Sequence, residues 1–410
     1  MKNLILFIVI LFTFNSCVEK DKCLGVVCQN GQICFDGTCL GSQTNVLVNS
    51  NISENTTWTN NNVYELSGRI VVEAGVILTI EAGTIIKGQA GTGNNSSVLI
   101  VSRNAKLNAI GSQTLPIIFT SIADEITTEQ VNNGNFVSPN LGNDASGLWG
   151  GLIILGNAPI SASSNEIQIE GIPTTDPNGL YGGNISNDNS GIIKYVSIRH
   201  GGTNIGNGNE INGLTLGGVG SETIIDNIEI IANQDDGIEF FGGTVNVSNL
   251  IVVNSSDDAI DTDQSWSGTL DNFIVICGAA TDHSLEIDGA EGVMIASNNI
   301  KNGSIKGSSS AELADFRSCA VGTFENIFFF GFTDPTTDGR CDFSTSDQCS
   351  IDNLNNNLIF NNLEIKTTFS LSTIFKNGTD VFATIVNNRT VGANKSNFSW
   401  TSSYSLLGDF

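Results

Sequence analysis

The chain has 410 residues, with 17 Lys and Arg against 42 Asp and Glu, a formal charge of −25 at neutral pH. So acidic a balance excludes nucleic acid as a partner, because a phosphate backbone is met by a basic footprint. It favours solubility, and cations as partners. The first feature along the chain is an apolar run, LILFIVILFTF at 4–14, that follows Lys2. A run this short falls below the roughly 20 residues that span a bilayer, so it reads as the core of a secretory signal over 1–16.

Asn15-Ser16-Cys17 resembles a bacterial lipobox. The resemblance implies cleavage ahead of Cys17 and a lipid on that cysteine, which makes the expected mature protein anchored in the membrane rather than spanning it. Removing residues 1–16, whose one charge is Lys2, takes the net charge from −25 to −26. Val18-Glu19-Lys20-Asp21-Lys22 resembles the short Lys and acidic export tags of surface lipoproteins in Bacteroidetes-type bacteria. The expected location is the outer membrane, facing the cell exterior.

With Cys17 set aside, the remaining cysteines are even in number, and in an exported chain they read as a disulfide framework. Cys23, Cys28, Cys34 and Cys39 crowd into CLGVVCQNGQICFDGTC, too short to bury a core, so two disulfides must hold it. This stretch resembles the first half of an EGF-like module, which implies the pairs Cys23–Cys34 and Cys28–Cys39. Residues 17–45 are therefore expected to form a lipidated tether with a stapled, disulfide-rich spacer. Further on stand Cys277, Cys319, Cys341 and Cys349, of which Cys341 with Cys349 would close a short loop. Zinc is disfavoured in an oxidising compartment by a chain with two His.

Residues 46–410 are periodic. Glu-Ala-Gly recurs at 73–75 and 81–83, and Asn227-Ile228-Glu229-Ile230, Asn249-Leu250-Ile251-Val252 and Asn272-Phe273-Ile274-Val275 repeat the larger frame. Short β-branched strands, a bend every eight residues and a period of 22–25 predict an all-β fold, a right-handed parallel β-helix. Asn beside the bends fits, since it tolerates left-handed backbone and can stack its amide between coils. Residues 122–146 and 335–350 are polar excursions from the coil.

SVLIVSRNAKLNAIGSQTLPIIFTS at 97–121, GLWGGLIILGNAPIS at 147–161, YVSIRHGG at 195–202 and GTFENIFFFGF at 322–332 resemble a family of Bacteroidetes-type surface lipoproteins with a pectin-lyase-like β-helix. The resemblance implies the fold and the location, and brings no established reaction with it.

Strand side chains alternate between core and exterior. With Ile238 and Phe240 inward, Glu239 points out; Ile260 and Leu285 take the place of Ile238 in the next coils, so Asp261 and Glu286 fall in register with Glu239. Ahead of them come Asp235 and Asp236, then Asp257 and Asp258, then Asp282 and His283, while Asp263 and Asp288 extend the strands. Three coils thus present carboxylates on one solvated face, where neighbours about 4.8 Å apart repel by roughly 1 kcal/mol per pair in water and more near a protein surface. Calcium, a hard cation taking six to eight oxygens, would relieve this; solvated acids that keep the coil soluble are the simpler alternative.

Asn233-Gln234-Asp235-Asp236 also resembles the Gln-Asp-Asp motif of polygalacturonases, which implies a hydrolase or lyase centred on Asp235, Asp236, Asp258 and His283. The companion motifs are missing: Asn212-Gly213-Leu214 carries no acid, Ser256-Asp257-Asp258 no His, and Ser304-Ile305-Lys306 stands where a substrate-binding Arg is wanted. Lys194 and Arg199, the nearest bases, lie at least a coil away. His200 is expected to be structural. Trp149, among glycines, is expected in the core, whereas Trp266, in the polar turn Gln264–Gly268, is the expected ligand-stacking surface.

These residues favour a surface-anchored binding or adhesion protein whose acidic face, Asp235 to Asp288, holds calcium or recognises an extracellular glycan through it. No organic cofactor is expected. An enzyme of acidic polysaccharides and a purely structural surface component are the alternatives.

Overall fold

A computed structural model describes residues 24–27, 32–35, 38–41, 44–205, 211–333, 335, 343–345, 347–354 and 356–410. The signal, Cys17, Cys23, Cys28 and Cys341 lie outside them, as do the side chains of Cys34 and Cys39. The chain divides into two compact units, Met1–Gln43 and Thr44–Phe410. In the first, Gln32–Phe35 and Thr38–Gly41 pair antiparallel with Cys34 opposite Cys39. Among the described residues no helix is long and apolar enough to cross a membrane.

The second unit is the expected parallel β-helix. Its eight-residue steps appear at once as the strands Arg69–Val72, Ile77–Ile80 and Ile85–Gly88. Gly75 and Gly83 take the bends between them at φ +83° and +84°, backbone that a Cβ would strain. From Gly191 onward each coil contributes one long strand to a 15-stranded sheet and, where paired, one short strand to a 9-stranded sheet. The long strands bend in their middle at Asn227, Asn249, Asn272, Asn302, Asn326 and Asn362, all with φ between +52° and +60°.

Asn suits these bends for two reasons: its penalty in the left-handed region is small, and its amide reaches the neighbouring coil. Asn272 Nδ2 donates to Asn249 Oδ1 at 2.6 Å, and Asn362 Nδ2 to Asn326 Oδ1 at 3.1 Å. Inside, Leu250, Phe273, Ile300 and their equivalents stack into one continuous core. Trp149 is fully buried there, as expected, its Nε1 donating to Arg199 O at 2.7 Å.

The outer face of the short sheet positions the site. One outward column runs coil by coil through Val71, Ile100, Ile153, Thr215, Glu239, Asp261, Glu286 and Asp315. Its apolar half would face water but for residues 156–186, which fold over it and pack Ile160, Ile169, Ile172 and Tyr181 on Ile100, Ile153, Leu155 and Phe241. This cover is tied down by the Tyr181 hydroxyl donating to Gln264 Oε1 at 3.0 Å and by Arg103 pairing with Glu166 at 3.1 Å. The acidic half of the column begins where the apolar one stops.

The excursion at 122–146 contains a short helix, Thr128–Asn132, closed by a capping box between Thr127 and Gln130. Its Val131 packs with Ile126 on Val63, Ile85 and Ile118 of the long sheet. The chain's last residues fold back over the same sheet: Ser403 bonds Glu229, and Trp400 meets Tyr195 edge to face.

One disulfide departs from expectation. Cys349 bonds Cys319 rather than Cys341, closing a separation of 30 residues with Cα atoms 4.8 Å apart. In a coil the nearest neighbour of a residue lies one turn away, so the pair forms between coils. Cys277 is buried, its Sγ 3.2 Å from Ser284 Oγ.

Candidate functional site: a buried acidic row

The register inferred from the repeat holds: Ile238 stands opposite Ile260, Glu239 opposite Asp261, and Asp261 opposite Glu286. What differs is exposure. Glu239 and Asp261 point away from the core as expected, yet they are only 6 % and 7 % exposed, and Asp236 and Asp258 only 7 % and 2 %. The face is a groove, not a solvated surface. Its outer rim is wetter: Asp257 and Asp282 are exposed, Asp235 and Asp263 half-buried.

The inner row is built by backbone as much as by side chains. Asp236 Oδ1 accepts from the Asp258 N–H at 2.8 Å, and Asp258 Oδ1 accepts in turn from the His283 N–H at 2.8 Å. His283 Nδ1 also donates to Asp258 Oδ1 at 2.7 Å, while its Nε2 lies 3.8 Å from Glu312 Oε1. Glu239 accepts from the Asn212 amide. Asp261 differs: its Oδ1 is buried and accepts no hydrogen bond.

Charge is compensated at one end only. Arg317 pairs with Glu286 and, through Nε at 2.8 Å, with Asp288. No comparable cation among the described residues meets Asp236, Glu239 and Asp261. Lys194 and Arg199 belong to the other sheet, where they pair with Asp226 at 3.0 Å and Glu229 at 3.3 Å. Burial, followed by repulsion from neighbouring carboxylates, holds Asp236, Glu239 and Asp261 well above the usual carboxylate range, and burial followed by a hydrogen bond with Glu286 does the same for Asp258. Glu170 of the covering segment adds to the repulsion on Glu239. Asp263 is pushed up to about 8, by burial first and then by Asp288.

Three sets of residues converge closely enough to share an ion: Asp236 with Glu239 and Asp261, Asp235 with Asp236 and Asp257, and Asp258 with His283 and Glu286. In each, one ligand atom per residue lies within 4.8 Å of the others. Two Ca–O bonds of about 2.4 Å span about that distance, so the oxygen sets fit a calcium ion. The first two sets offer oxygen alone, as a hard cation requires; His283 makes the third a poorer match. Cys319 and Cys349, which lie near Asp347, are joined to each other.

Two expectations about aromatic and basic residues are now decided. Trp266 is 1 % exposed, stacked on Phe240 with ring centroids 4.1 Å apart, and donates from Nε1 to Val245 O at 3.0 Å. It is a core residue and not a ligand-stacking surface, because left-handed backbone at Gln264 and Ser265 turns the ring inward. His200 is structural: its backbone N–H bonds Ile231 O in the next coil and its Nδ1 donates to Ala145 O at 2.6 Å. Burial lowers its pKa, favouring the neutral ring.

Sequence reasoning missed the groove's fourth coil, which supplies Glu312, Asp315 and Arg317. The signal was present: Glu312-Leu-Ala-Asp315-Phe-Arg317 repeats the frame of His283-Ser-Leu-Glu286-Ile-Asp288.

Coils that pair in parallel, with carboxylates aligned along one outer face of the short sheet, define the molecule as a parallel β-helix. Residues 50–405 match the model of the pectate-lyase-like β-helix domain, and the chain belongs to that family. Neither the curated proteins nor the solved structures give a match.

Proposed function

We propose that this protein is a lipid-anchored surface protein that binds acidic glycan through divalent cations, calcium first, without cutting it. Membership in a pectate-lyase-like β-helix family fits a glycan-related role. The observation that carries the cation is Asp261: a carboxylate oxygen with no hydrogen-bond donor, buried beside Asp236 and Glu239, which no basic side chain among the described residues contacts. An ion there would supply the positive charge that these oxygens lack. The set of Asp235, Asp236 and Asp257 opens to the rim, where an ion keeps coordination positions for a ligand's own carboxylate. Such an ion also answers how a chain of charge −25 could approach a polyanion at all. Lipidation at Cys17 and an outer-membrane location rest on the sequence alone.

A second reading has one observation in its favour, the 2.7 Å hydrogen bond between His283 and Asp258, which would orient the imidazole as an acid or base. Against it, Asp258 is 2 % exposed, which leaves little room for a sugar beside the pair. Retention of the protein on immobilised polygalacturonate and alginate separates the readings. Binding that calcium restores after chelation, with no release of shortened or unsaturated sugars, supports the first. Turnover lost in Asp258→Asn would establish the second.

A further inference from the structure

A cleft lies on the outer face of the long sheet, beside Arg389 and residues 409–410. The outward column of the long sheet that includes Ile231, Val253 and Ile276 changes character at the next coils to Lys306, Phe330 and Lys366. The C-terminal segment covers the apolar part, packing Phe398 and Leu407 on it. Over the last three coils it parts into two limbs, one carrying Arg389 and the other Asp409 and Phe410. Between them lies a cavity of about 580 Å³.

Its walls reverse the sign of the whole molecule. Three of the chain's 17 Lys and Arg residues line it, Lys306, Lys366 and Arg389, against one carboxylate side chain, Asp409. Asp409 is engaged with Lys306 at 3.0 Å, whereas Lys366 is exposed and has no partner among the described residues. Lys306 and Lys366 stand two rungs apart, about 10 Å, with Phe330 on the rung between. The Phe328 and Phe330 rings stack at 5.2 Å, and Phe410 meets Phe330 edge to face at 4.8 Å. An aromatic corner thus sits between two ammonium groups and a guanidinium.

We propose that this cleft binds a small organic anion with a flat apolar body, its carboxylates drawn to Lys366 and Arg389 and its body held against the Phe330–Phe410 corner. Ammonium and guanidinium groups bind carboxylate in charge-assisted hydrogen bonds. A flat body gains from the aromatic walls what a simple ion cannot. The acidic groove plays no part in this site, so either can fail without the other.

The probe is terephthalate, titrated into the full chain by calorimetry or by NMR of the ligand, beside benzoate and inorganic sulfate. The site predicts saturable binding in the order terephthalate, benzoate, sulfate, weakening with salt, and a loss of about tenfold or more in Lys366→Ala. Lys366 is exposed and unpaired among the described residues, so its removal leaves the fold intact; Lys366→Arg should keep most of the affinity. Absence of saturable binding at millimolar terephthalate, or equal affinity in Lys366→Ala, overturns the site. Sulfate binding as tightly as terephthalate overturns the proposed ligand class.

Discussion

Replacing Asp261 by Asn keeps the shape of the side chain and removes its charge, and the size of the effect depends on whether an ion is present. Asp261 lies one rung, about 4.8 Å, from Glu239 and from Glu286. At an effective dielectric constant of about 20, each neighbour that is ionised costs about 3 kcal/mol of repulsion. Burial already keeps part of the set protonated, so the relief amounts to roughly 1–3 kcal/mol in the metal-free protein at pH 8. One kcal/mol moves Tm by about 2–4 °C in a domain of 150–250 residues and by less in a longer one. Asp261→Asn should therefore melt a few degrees above the parent in chelator. With millimolar calcium that advantage should shrink by about 1.4 kcal/mol or more, because the variant has lost a ligand and with it at least about tenfold in affinity. Differential scanning calorimetry in chelator and in calcium reads both. A shift of the same sign and size in both conditions would refute the reasoning, since Asp261 would then be indifferent to any ion.

The raised carboxyl pKa values fix a pH dependence. Asp236, Glu239, Asp258, Asp261 and Asp263 hold protons in the folded state above the ordinary value of about 4, Asp263 to about 8. The folded chain then binds more protons than the unfolded one between pH 4 and 8, so the metal-free protein should lose stability as pH rises through that window. Urea midpoints at pH 5 and 8 in chelator test the direction, and calcium should cancel most of the loss. Cys349→Ser opens the loop of 30 residues closed with Cys319 and should cost about 3–4 kcal/mol in chemical unfolding; no loss would place that bond outside the native state. Asn272→Ala puts an ordinary residue at φ +60° and breaks the amide bond to Asn249, for an expected loss of about 2–3 kcal/mol. Asn272→Gly should lose only the hydrogen-bond part, and equal losses would show that backbone strain is not what Asn relieves.

The coil was legible in the sequence because its physics is local. Asn227, Asn249 and Asn272 recur at the spacing of one turn, and each marks a left-handed bend that few other residues accept. The register of Glu239, Asp261 and Glu286 followed from the same period, since a one-residue slip would have turned Ile238 and Ile260 outward. Exposure was not legible. Ile160, Ile169, Ile172 and Tyr181 cover the apolar half of the same column, on a segment that precedes the acids by more than two coils and shows no period of its own. Trp266 was misplaced for a related reason: polar neighbours in Gln-Ser-Trp-Ser-Gly suggest a wet turn, whereas the backbone torsions of Gln264 and Ser265 decide where the ring goes. Proximity in sequence likewise suggested Cys341 for Cys349, where stacking of coils brings Cys319 instead. Arg317 lies one coil beyond the acids at 235–288, opposite Asp288, where only the pairing of coils brings it to Glu286.

The central claim is that the buried carboxylates are a cation site, and calcium titration of the full chain at pH 7.5, beside Asp236→Asn/Asp261→Asn, tests it most directly. Run in two buffers of different ionisation enthalpy, the parent should bind calcium saturably and release protons as it does so, because the ion displaces them from groups with raised pKa. The double variant should lose that heat and that release. Identical heats from the two proteins would contradict the claim and leave the groove a set of buried acids that share protons.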